Sequence, residues 1–79
     1  MALLMDAHEL DRLRLAYKFA VEKWITAIRE EEALAMPDHS VHAWDLWEKA
    51  GFAEQEARDQ AQAAKELYED ALRKADFGI

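Results

Sequence analysis

Apolar side chains recur at intervals of three and four residues along almost the whole chain, which is the spacing of one helix face. In the first half Leu3, Ala7, Leu10, Tyr17, Val21, Trp24, Ile28 and Ala35 form such a stripe, flanked by Leu13, Ala20 and Ala27. In the second half Leu46, Ala50, Ala53, Ala57, Ala61, Ala64, Tyr68, Ala71, Leu72 and Ala75 form another. Between them stands Met36-Pro37-Asp38-His39-Ser40. Proline drives the residue before it out of the α region. The pattern therefore predicts a helix over about residues 6–35, a turn over 36–40 and a helix over about 41–75. Asp6 and Glu9 have capping spacing at the first start, and Ser40 is placed to cap the second helix.

The second stripe crosses Gly51 without losing phase, so the second half reads as one helix with Gly51 as its place for a kink. The rival reading stops a helix at Gly51, after Lys49, and leaves Phe52 to begin a third helix with no capping side chain. Pairs such as Asp45 with Lys49, Glu54 with Arg58, Glu69 with Arg73 and Asp70 with Lys74 mark a solvated face. Folding back at Pro37 sets residue i opposite a residue near about 77 − i. Trp24 then falls near Ala53, Val21 near Ala57, Tyr17 near Ala61 and Leu13 near Ala64, large against small.

Composition agrees with the all-α class. Of 79 residues sixteen are alanine, Ser and Thr occur once each, Asn is absent, and six are β-branched. No stretch alternates apolar and polar long enough to read as a strand. The expected fold is a single domain over 1–79, an antiparallel helical hairpin that dimerises into a four-helix bundle. With no cysteine there is neither a disulfide staple nor a thiolate, and a core this small supplies only a few kcal/mol. A second copy is therefore expected, as a homodimer or a higher oligomer.

The formal net charge of −7 divides into −3 over residues 1–38 and −4 over 39–79, so no half offers a basic surface to phosphate backbones. Nucleic acid is excluded as the expected partner. Met1 to Met5 is too short to cross a bilayer, no basic region precedes it, and the expected address is cytoplasmic without membrane contact.

Candidate chemistry is sparse. Ser40 lies among Asp38, His39, His42 and Asp45, the residue types of a hydrolase triad with nothing to supply the geometry or an oxyanion hole. Asp76-Phe77-Gly78 matches a kinase tripeptide in letters only. No enzyme activity and no cofactor are expected. The spacing His39-x-x-His42, with Asp45 beyond it, offers ligand types for a metal but no fixed third ligand.

Two features break local rules. Glu30, Glu31 and Glu32 sit near the C-terminal end of the first helix, where the helix dipole opposes them, and Asp38 lies at the same end. This acidic end is a candidate contact for a basic protein or a cation. Leu15 and Phe19 lie opposite the first stripe, Val41, Trp44 and Phe52 lie off the second, and Trp47 flanks it. Two tryptophans and two phenylalanines left in water point to a surface that meets another chain.

In topology the chain resembles two kinds of helical hairpin. The small hairpin proteins secreted by type VII systems carry Trp-x-Gly at the turn, whereas here the turn is Pro37-Asp38-His39-Ser40 and Trp47 is followed by Gly51. The Rop-type RNA-binding hairpin dimer shares the expected topology, but the acidic charge opposes that activity. No residue is carried over from either. The leading expectation is a non-enzymatic oligomerisation or protein-interaction module; the alternative is a small metal- or cation-binding protein using the His and carboxylate groups near the turn.

Overall fold

The computed structural model describes residues 7–35 and 40–77. The expected cap at Asp6 and the turn residues Met36, Pro37, Asp38 and His39 lie outside them. The described chain forms two helices and no strand: α1 (Ala7–Ala33) and α2 (Val41–Phe77).

Each helix has a local reason to form. The 27 residues of α1 contain no glycine or proline, and its one aliphatic hydroxyl is absorbed, Thr26 Oγ1 donating to the Glu22 carbonyl at 3.1 Å. At its end the amides of Leu34 and Ala35 bond back three residues to the carbonyls of Glu31 and Glu32, the tightening that satisfies a last turn. Ser40 caps α2: its Oγ accepts from the Ala43 amide at 3.1 Å while its carbonyl accepts from the Trp44 amide at 3.0 Å. α2 then runs for 37 residues straight through Gly51, so the continuous reading of the second half holds.

The helices pack antiparallel, but the packed faces are rotated from the expected stripes. On α1 the sheltered positions include Leu10, Leu13, Tyr17, Ala20, Trp24, Ala27, Glu31 and Leu34, in alternation of three and four, with Glu9, Leu15 and Val21 half-buried beside them. On α2 they include Ala50, Glu54, Ala57, Ala61, Ala64, Tyr68, Ala71 and Ala75, with the same alternation. This seven-residue repeat keeps a seam facing its partner along two long helices. The expected flankers Leu13, Ala20 and Ala27 are thus central. Ile28, Ala35, Leu46 and Ala53, expected inside, are exposed.

The register is shifted as well. Trp24 meets Glu54, Glu31 lies over Gly51, and the rings of Tyr17 and Tyr68 stand 6.4 Å apart, so partners add up to 78, 82 and 85, above the expected 77. The helices are unequal in length, about 40 Å and 55 Å at 1.5 Å per residue. With Glu31 beside Gly51 and α1 ending at Ala33, residues 41–48 of α2 project beyond the end of α1. The molecule is correspondingly elongated, 61 Å in its longest dimension and 17 Å in the next.

Along this seam only Ala61 and Ala71 are fully buried, each 3% exposed, and no large side chain is. The small residues let the helices approach, while the large ones opposite them keep one edge in water.

Candidate interaction surface

The overhang of α2 gathers the aromatic residues that the sequence pattern left outside. Trp44 and Trp47, one turn apart, meet edge to face with ring centroids 5.2 Å apart at 68°. Together with Phe52 they line a recess of about 430 Å³, whose other walls are Glu31, Glu48, Gly51 and Gln55. Trp44 is 56% exposed because α1 stops short of it, and Phe52 is 70% exposed because it points away from the seam.

Gly51 shapes this recess. A Cβ built there would stand 3.1 Å from Glu31 Oε2, so the missing side chain makes room for a carboxylate arriving from α1. Of the acidic triplet only Glu31 faces α2; Glu30 and Glu32 are exposed, as the rotation of about 100° per residue requires. Asp38, the fourth member of the expected acidic end, lies outside the described residues.

Leu15 and Phe19 form no part of this recess. Phe19 is 57% exposed on α1, while Leu15 is half-buried against the shallow hollow formed with His8, Asp11 and Arg12. Leu67 of α2, 60% exposed, was not singled out by the sequence pattern. A further groove of about 250 Å³ lies between the helices, lined by Tyr17, Val21 and Trp24 against Arg58, Ala61 and Lys65. It marks one flank of the seam. Phe19 lies two residues from Val21 and Leu67 two from Lys65, and two residues turn a helix by about 200°. Both therefore belong to the opposite flank. Gly51 precedes Arg58 by seven residues and Trp44 precedes Gly51 by seven, which keeps the aromatic recess on the groove side.

Sequence reasoning also missed the polar link across the seam. Glu54 reads as half of a solvated pair, and Arg58 Nε does lie 3.7 Å from its Oε2. The same oxygen accepts a 2.7 Å hydrogen bond from Trp24 Nε1, making Glu54 a seam residue. The signal was its place in the three-and-four alternation. The remaining exposed ion pairs lie within single helices: Asp45 with Lys49 at 3.5 Å, Asp11 with Arg14 at 2.8 Å, Glu9 with Arg12, and Asp70 with Arg73. The last takes Arg73 away from its expected partner Glu69. Hydrogen bonding from Arg12 holds the Glu9 carboxyl below its ordinary value.

Among the described residues no group of three His, Cys, Asp or Glu side chains is close enough to hold a metal ion. His42 is exposed and Asp45 is engaged by Lys49; His39 lies outside the described residues. No helix among them is long and apolar enough to cross a membrane. No model of a known family, no curated protein and no solved structure matches this chain.

Proposed function

We propose that this chain is a non-enzymatic helical hairpin that works by binding other polypeptides, the first of them a second copy of itself in a four-helix dimer. One observation carries the reading: of all the apolar side chains described, only two alanines are fully buried, while Phe19, Leu67, Trp44 and Phe52 are each more than half exposed. Burying a Leu or Phe side chain is worth about 1.5–3 kcal/mol, a large share of what a chain of this size has available. Phe19 and Leu67, on the flank away from the aromatic recess, offer a face that a twofold would bring against itself. The acidic balance favours a basic protein as any further partner.

Multi-angle light scattering at micromolar concentration is the test. A dimer for the natural chain and a monomer for Phe19→Asp is the expected result. A monomeric natural chain would end the dimer reading and leave this flank for a different protein.

A further inference from the structure

We infer that the aromatic recess on the overhang of α2 takes the side chain of an arginine presented by a basic partner protein. The inference rests on reading the chain as a binding module, but not on the dimer, since the recess and the Phe19 flank lie on opposite sides of the seam.

Three observations converge on a guanidinium. The first is aromatic surface held in place: Trp44 and Trp47 fix each other edge to face at 5.2 Å, and most of the Trp44 and Phe52 surface is left in water. An indole face attracts a cation through its quadrupole, and arginine both stacks there and packs its apolar stem alongside. The second is charge. Glu31 and Glu48 line the same recess, and among the described residues neither takes part in an ion pair, which leaves both carboxylates open to an incoming cation. Two unmatched carboxylates beside three aromatic rings, in a chain of net charge −7, complement a cation and repel an anion. The third is Gly51. A glycine inside a long helix is a loss of helix propensity, and here a Cβ would reach to 3.1 Å from Glu31 Oε2. The small residue keeps that carboxylate seated in the recess. Arginine fits better than lysine because its planar fork can stack on a ring while donating to carboxylate oxygens, which a point charge cannot do.

The test uses the full chain, labelled with ¹⁵N, and three short blocked peptides, glycine-X-glycine with X as arginine, lysine or the neutral isostere citrulline. Three indole N–H signals report on the titration. Those of Trp44 and Trp47 are expected to move with the arginine peptide, while that of Trp24, tied to Glu54, stays. The citrulline peptide should bind about tenfold more weakly, and Glu31→Gln should cost the arginine peptide a similar factor. Gly51→Ala should also weaken binding while melting at a higher temperature, which separates loss of the recess from loss of the fold. Equal binding of arginine and citrulline peptides would overturn the inference, as would unmoved Trp44 and Trp47 signals. Movement of those two signals on simple dilution, without peptide, would also overturn it by showing that a second copy covers the recess. Light scattering on the same samples reads the dimer separately: a monomer that still binds the arginine peptide refutes the dimer alone.

Discussion

The Trp24 indole donates a 2.7 Å hydrogen bond to Glu54 Oε2, joining the two helices at half-buried positions thirty residues apart in sequence. A polar bond here fixes which turn of α2 faces Trp24, whereas the alanines around it would fit several alignments. Removing the acceptor leaves the half-buried indole N–H to water, which costs about 0.5–1.5 kcal/mol. Glu54→Ala is therefore expected to lower the urea midpoint by a clear margin, while Glu54→Gln, which keeps an acceptor oxygen, should lower it much less. Equal losses would mean that the charge, through Arg58, matters more than the hydrogen bond.

The rotated seam makes a sharper forecast. Ala57 is half-buried and Ala61 fully so, but Ala53, which the apolar stripe placed against Trp24, is exposed. Ala61→Trp should overpack the seam at a cost of about 1–3 kcal/mol. Ala57→Lys should destabilise and Ala53→Lys should be nearly neutral, both read by thermal unfolding. Equal destabilisation by the two lysine variants would restore the stripe expected from the pattern alone, which holds both alanines inside.

These variants probe where the sequence was legible. Two helices, the Ser40 cap and passage through Gly51 could all be read, because proline, serine and an unbroken apolar phase are local signals. The rotation could not. Sixteen alanines populate seam and flank alike, so small apolar residues do not by themselves single out one phase. The true alternation is also disguised by Glu31 and Glu54, which occupy seam positions but look like surface residues. The aromatic recess stayed hidden for another reason. It depends on α2 outreaching α1, which follows from the register of the hairpin and so from contacts between distant residues such as Glu31 and Gly51.

The acidic triplet should respond to salt. α1 has no basic residue in its last turn, and Glu30 and Glu32 are exposed there against the helix dipole. Replacing both by glutamine should stabilise the protein by a few tenths of a kcal/mol, roughly, at low ionic strength. The gain should fade as the screening length falls to about 8 Å at physiological salt. A loss of stability would show that these carboxylates have structural partners.

At the far end of the hairpin, the Arg12 hydrogen bond lowers the Glu9 carboxyl from its ordinary 4.5. A carboxyl lowered in the folded state contributes stability above its unfolded value and loses it as pH falls through the folded one. In the ¹³C-detected titration Arg12→Ala should move Glu9 upward, towards 4.5, with only a slight change in acid unfolding because both groups are in water. An unmoved Glu9 would assign the shift to another neighbour.

If a second copy completes the fold, stability must depend on concentration, because a partner that binds only the folded state raises the melting temperature by mass action. Isolated helices of this kind draw most of their stability from packing, and here little large apolar surface is packed within one chain. A tenfold increase in chain concentration should therefore raise the melting temperature by a few degrees, roughly, in a domain of this size. Phe19→Asp and Leu67→Asp should each remove the dependence and lower helicity at micromolar concentration, since both place a charge on the flank that the twofold would cover. Trp44→Asp, on the groove side of the seam, should leave the dependence intact although Trp44 is about as exposed as Phe19. Loss of the concentration effect in Trp44→Asp but not in Phe19→Asp would move the dimer contact to the aromatic overhang, and no effect in the natural chain would dispose of the dimer altogether.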